Sequence, residues 1–218
     1  MAKSLRQWMC LLLLLAPLAG CNHLAYWVYL VTPEPTETIE AQFDELNGHT
    51  VAVIVYANEA IQYNYPSACR EVSARVSAEL EEKLKDVTTV DSLKIQKYQQ
   101  QNIQWDTMSK TDLGKLFDAD YVLFITLREF STREEGSLDL FRGRLSAECA
   151  IYEVAQPEYA SRGWDTSGIS VQYPSNGPIG GHIGQLSEYD YRIRCKTISE
   201  FAEALVQNFY EHKVPKAS

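Results

Sequence analysis

The sequence predicts an α/β domain, a mixed β-sheet with helices packed on it, and three patterns predict it. Val51–Tyr56 and Tyr121–Leu127 are continuous apolar runs with the length of buried strands. Two other segments place apolar residues on one helical face: Val72, Val76, Leu80 and Leu84 in the first, Ile198, Phe201, Ala202, Leu205 and Phe209 in the second. Between them Arg142–Val154 alternates with a period of two, as a half-buried strand does. Strands and helices interleaved in this way bury their apolar faces as layers.

Of the 218 residues, 45% are hydrophobic and 22% charged, a globular balance too apolar for disorder. Twenty Lys and Arg against 29 Asp and Glu give a net charge of −9. An acidic surface repels phosphate backbones and anionic lipid heads, so nucleic-acid binding and a basic membrane patch are both disfavoured. Tyr is frequent, with 13 residues, and suits half-buried strands and contact surfaces.

Taken in order, residues 1–20 read as a signal peptide. Lys3 and Arg6 make its positive start, Trp8–Leu15 its apolar stretch, and Pro17, Ala19 and Gly20 its helix-breaking, small-residue end. The apolar stretch falls short of the roughly 20 residues that a spanning helix needs. Cutting between Gly20 and Cys21 removes two positive charges and leaves the rest more acidic still. The arm that follows, 21–47, is apolar and aromatic over His23–Val31 and then rich in Pro and acids. Its Pro33 and Pro35 favour an extended tether. The apolar part is expected either at a bilayer interface, where Tyr26, Trp27 and Tyr29 are at home, or as an edge strand.

The domain is expected over 48–214. After the strand Val51–Tyr56, a helix is expected from Tyr65 or Pro66 to Lys85, with Pro66 in its first turn. Val87–Val90 reads as a short strand and Ser92–Gln101 as a helix. A second short helix runs to Phe117, capped by Ser109 or Thr111. The strand from Tyr121 continues to about Thr132, turns at Glu134–Ser137, and pairs as a hairpin with Arg142–Val154. Gln156–Trp164 reads as a turn into another short strand, Ile169–Tyr173 as one more, and 174–187 as a loop rich in Gly and Pro. The last helix starts at Ser187 or Asp190 and runs to His212, leaving 215–218 as a frayed tail.

Few residues offer chemistry. The sequence holds four His and neither a Gly-x-Ser-x-Gly elbow nor a His-Glu-x-x-His pair, so no catalytic residue is expected. His182, with Gly180 and Gly181, sits in the one loop able to approach a ligand closely, but no Gly-Lys-Ser/Thr completes a phosphate site. Cys149, His182 and Cys195 lack a short chelating spacing, and neither metal nor cofactor is expected. Asp118 and Asp120 read as turn and cap residues, and Asp190 as a complement to the last helix's dipole. Arg142 and Arg144 share a strand face, where a cross-strand pair with Glu129 or Glu134 is the expected outcome. Three cysteines remain after Cys10 and Cys21, allowing at most one bridge; buried free thiols are the reading adopted.

Leu18-Ala19-Gly20-Cys21 resembles the bacterial lipobox. The resemblance implies a diacylglyceryl group on Cys21, usually joined by an amide-linked acyl chain such as palmitate, and two chains anchor stably where one is marginal. Asn22, where an inner-membrane protein commonly has Asp, implies the outer membrane and its periplasmic face. Val51–Tyr56, Val87-Thr-Thr-Val90 and Ala119-Asp-Tyr-Val-Leu123 resemble the domain shared by the curli-secretion lipoprotein, the amino-terminal domain of TolB and the lipoprotein activators of penicillin-binding proteins. Asp118 stands where that group has glycine, and the curli pore hairpins have no counterpart. The whole chain is also similar to uncharacterised lipoproteins of planctomycete-type bacteria. The resemblance implies a non-catalytic accessory of an envelope complex that works through protein partners. The alternative is a lipid-anchored hydrolase or small-ligand binder using the 174–187 loop.

Overall fold

A computed structural model describes residues 36–215; the signal peptide, Cys21 and the apolar arm lie outside the described residues. The described chain divides into two compact units, the larger spanning Glu40–His212. The smaller contains a two-stranded ribbon of β1 (Thr36–Ile39) and β8 (His212–Pro215).

Within the larger unit the sheet order is β3-β2-β4-β5-β6, with β7 added to β5. The strands are β2 (Thr50–Ala57), β3 (Thr88–Thr89), β4 (Tyr121–Arg133), β5 (Leu140–Glu153), β6 (Arg162–Tyr173) and β7 (Ile179–Gly180). β2 runs parallel to β3 and β4, whereas β4–β5 and β5–β6 are antiparallel, so the expected mixed sheet is present. The expected hairpin is β4–β5, and Leu145, Ala147, Cys149 and Ile151 face the core as their alternation requires.

Among the described residues five α-helices accompany the sheet: α1 (Glu59–Asn64), α2 (Ala68–Lys83), α3 (Ser92–Gln101), α4 (Lys110–Leu116) and α5 (Leu186–Val206). Helices α2 and α5 cover one face. Val72, Val76 and Leu80 of α2 and Ile198, Phe201, Ala202 and Leu205 of α5 meet Val53, Val55, Leu123, Ile125 and Leu145 there. A second, smaller core forms on the opposite face, where Ile95 of α3 and Leu113 of α4 close over Ala52, Ile54 and Val122. That cover stops short: no described helix lies over the distal halves of β4, β5 and β6 on that face.

Several boundaries differ from the sequence reading. The helix expected from 65 or 66 to 85 is α2, which starts at Ala68 because Pro66 falls in the bend before it; a further short helix, α1, capped by the Asn58 side chain, precedes it. The two strands expected over 156–173 are one, β6, with an irregularity where Cys149 meets Thr166. The last helix ends at Val206 rather than His212; a 3-10 turn then carries Phe209 into the core. The compact unit begins before residue 48, since Phe43 and Leu46 are buried and both Gln42 and Phe43 N–H groups donate to the Asn208 carbonyl. The caps follow expectation at α4, where Ser109 Oγ accepts from Asp112 N at 3.0 Å.

Candidate functional site

The loop after β6 is pinned by its surroundings. Arg142 donates from Nε to the Pro174 carbonyl and from Nη2 to that of Ser175, at 3.2 and 3.0 Å. Ile179 and Gly180 pair with Phe141 and Leu140 as β7, a short strand inside the segment expected to be a loop throughout 174–187. Gly181 N–H donates to the Asp139 carbonyl at 2.7 Å, and a Cβ at Gly181 would come within 2.5 Å of the Phe141 ring. Glycine is thus required there by close packing. Gly180 is exposed with open space around it, and His182 is exposed and accepts from Gln185 N through its carbonyl.

This pinned loop forms one wall of a groove of about 370 Å³ whose other wall is the first half of α5. Tyr173 at the end of β6, Ile179 on β7, and Tyr189, Tyr191 and Ile193 on α5 supply its apolar surface, with Arg192 and Lys196 at its rim. Phe141 stacks on Tyr189 at 5.6 Å and an interplanar angle of 27°, which fixes one side. Leu138 at the hairpin tip is 76% exposed and Tyr191 59%, so apolar surface extends beyond the groove. Large side chains are rarely left in water together without a partner surface.

Tyr191 also borders a second, wider cleft of about 790 Å³ at the carboxyl end of β4, lined by Tyr65, Ser131, Arg133, Asp190 and Arg194. Asp190 is not merely a dipole complement: it accepts from Thr132 Oγ1 at 2.6 Å and pairs with Arg133 at 3.5 Å. Arg194 Nε lies 3.3 Å from Glu71 Oε2, but the alignment is that of an ion pair and leaves the buried N–H without a hydrogen bond. His182 lines neither cleft.

The remaining candidates have structural tasks. Glu134 is the partner of Arg142 at 3.6 Å and of Arg144 at 2.5 Å, as the face alternation suggests. The Arg144 hydrogen bond holds its carboxyl below the usual range, against a smaller opposing push from burial. Asp118 occupies a turn, as read; Asp120, read as a cap, instead accepts from Thr50 N on β2 at 2.8 Å and lies 3.4 Å from His49 Nδ1. Cys69, Cys149 and Cys195 are free thiols; burial pushes Cys69 to about 11 and Cys149 to about 12, while Cys195 is exposed. Among the described residues no group of three or more His, Cys, Asp or Glu converges in a metal-binding arrangement, and no helix is long and apolar enough to cross a membrane.

No family model matches the chain, and no curated protein does. Solved structures similar to it include bacterial lipoproteins. Lipoprotein GNA1162 from Neisseria meningitidis is 18% identical, with 66% of this chain and 94% of that one covered and a TM-score of 0.41. A minor lipoprotein from Acinetobacter baumannii is 7% identical over 72% of this chain and 89% of its own, at 0.34. A PelC dodecamer from Paraburkholderia phytofirmans is 12% identical over 78% and 98%, at 0.40.

The tyrosine groove was not singled out by sequence. The signal was the Glu188-Tyr-Asp-Tyr-Arg192 cluster within an unusually Tyr-rich chain.

Proposed function

We propose that this protein is a lipid-anchored lipoprotein of the cell envelope, held through Cys21 on the periplasmic face of the outer membrane, and that it serves as a non-catalytic accessory by docking a protein partner in the tyrosine groove. The observation that carries the docking is the convergence of Tyr173, Ile179, Tyr189 and Tyr191 in a half-open groove. Tyr combines a large contact area with few rotatable bonds, and buried aromatic anchors carry most of the energy of protein interfaces. Arg192 and Lys196 at the rim favour a partner segment with an apolar anchor flanked by acids. The lipobox supports the anchor, and the acidic net charge leaves a lipid as the means of attachment.

The test combines palmitate labelling with cross-linked affinity purification from native membranes. Wild type is expected to carry the label, to fractionate with membrane and to retain one envelope protein. Cys21→Ala is expected to lose the label and the membrane. Tyr191→Ala is expected to keep both and lose the partner, because Tyr191 is exposed and its removal spares the core. Membrane-bound, unlabelled Cys21→Ala protein with the wild-type fractionation would sink the anchor. A partner retained by Tyr191→Ala would sink the groove.

A further inference from the structure

The rim of the second core, on the face of the sheet that α3 and α4 cover, carries a feature that shares no residue with the tyrosine groove. A stripe of half-buried rings crosses that face: Tyr56 on β2, Phe124 on β4 and Tyr152 on β5. Trp105, from the turn before α4, leans on Tyr56 and Phe124 with centroid separations of 6.1 and 6.4 Å. A groove of about 510 Å³ runs over Phe124 and Tyr152, with the hydroxyls of Thr126, Thr166 and Ser167 along its walls, together with the carboxylates of Glu148 and Asp165, each already paired with an arginine. A cation covers each ring: Lys110 Nζ lies 4.1 Å from the Phe124 centroid, and the Arg162 guanidinium 5.4 Å from that of Tyr152.

The two cations differ in their partners. Arg162 pairs with Asp165 at 2.9 Å and donates to Tyr152 Oη at 2.9 Å. Lys110 Nζ, among the described residues, rests on a ring instead of a carboxylate. Burial lowers its pKa, and the more distant charges of Glu158 and Asp106 only partly offset this. Glu158 itself is engaged elsewhere, accepting from Thr111 Oγ1 at 2.9 Å and from the N–H groups of Lys110 and Thr111. A half-buried ammonium without a carboxylate is a site short of an anion.

We propose that this groove binds an acidic oligosaccharide, with a sugar C–H face on Phe124 and a sugar carboxylate on Lys110. Its volume lies within the roughly 300–1,000 Å³ of small-ligand sites. The negative face of an aromatic ring receives polarised C–H groups, and hydroxyl walls both donate to and accept from sugar hydroxyls. A protein partner asks for an apolar centre, which these polar walls do not supply. The carboxylate draws the flexible Lys110 ammonium off the Phe124 ring, and the sugar face takes its place.

Calorimetric titration of the full chain in mild detergent, with a galacturonate tetramer and its neutral galactose counterpart, tests this. The acidic tetramer is expected to bind at least about tenfold tighter than the neutral one, with affinity falling at higher salt. Lys110→Met is expected to remove about that tenfold advantage and leave the neutral tetramer unchanged, while Lys110→Arg retains it. The Met variant keeps the aliphatic stem, and an unchanged melting curve shows that it folds. Three results overturn the proposal: no heat from the acidic tetramer at millimolar concentration, undiminished binding by Lys110→Met, or a hexaglutamate peptide binding as tightly with the same dependence on Lys110. None of them bears on the tyrosine groove.

Discussion

At Asp118 the backbone turns left-handed, with φ of 54°. Its N–H donates to the Lys115 carbonyl and the next N–H, of Ala119, to that of Gly114, the two bonds that close a helix end in the Schellman arrangement. A residue with a Cβ is strained there; glycine is not, and Asp is among the few that tolerate it. Asp118→Gly is therefore expected to stabilise the protein by up to about 1 kcal/mol, read from urea denaturation midpoints. A destabilised variant would mean that the carboxylate makes a contact worth more than the strain. The sequence limited the partner of Arg142 and Arg144 to Glu129 or Glu134, through alternation and hairpin closure, and the structure selects Glu134. The role of Asp190 was hidden, because its partners Thr132 and Arg133 sit some 58 residues away in sequence on a strand end.

Helix α5 lies across β5 where Gly143 leaves room for it. A Cβ on Gly143 would overlap the Thr197 side chain and come within 3.1 Å of Ile193 Cγ2, both on α5. Thr197 is fully buried and spends its hydroxyl on the Ile193 carbonyl at 2.8 Å, so it has no easy way to move. Gly143→Ala is expected to cost about 1–3 kcal/mol through overpacking, measured by the same denaturation. Gly143→Ala with Thr197→Ala, which removes the overlapping hydroxyl, is expected to recover part of the loss; no recovery would place the strain elsewhere. Elements with strong periodicity were legible: β2, α3, α4 and the β4–β5 hairpin stand where expected. Strand β6 was read as two pieces because Gly163, Asp165 and Gly168 interrupt its apolar pattern, which an edge strand can tolerate with one side unpaired. The tyrosine groove was illegible for a related reason. It joins the end of β6, β7 and α5, and only tertiary packing brings those together.

On the scale of the whole molecule, the response to pH follows from several carboxyls acting together. Arg144 holds Glu134 low and Arg128 holds Glu148 low, each mainly through a side-chain hydrogen bond. For Glu158 burial pushes upward, but hydrogen bonds from Thr111 and from the Lys110 and Thr111 N–H groups together outweigh it. A carboxyl whose folded pKa is depressed contributes stability that is present above its unfolded value, near 4.5, and is lost as pH falls through the folded one. Acid also strips the negative charge and leaves 20 Lys and Arg to repel one another. The buried thiols set the other limb. Cys69 and Cys149 keep their protons to about 11 and about 12, whereas an unfolded thiol releases its own from about 9.0, so stability declines as pH rises between those values. The melting temperature is expected to stay level between about pH 5 and 9 and to fall on both sides. Glu158→Gln, measured by calorimetry from pH 3 to 8, separates the site from the overall charge. Losing the carboxylate that joins the Pro157–Ser161 turn to the start of α4 lowers the plateau, while the variant's acid limb is shallower because one depressed carboxyl no longer titrates. An acid limb of undiminished steepness in Glu158→Gln would assign acid unfolding to charge repulsion and the surface pairs, and remove Glu158 from the account.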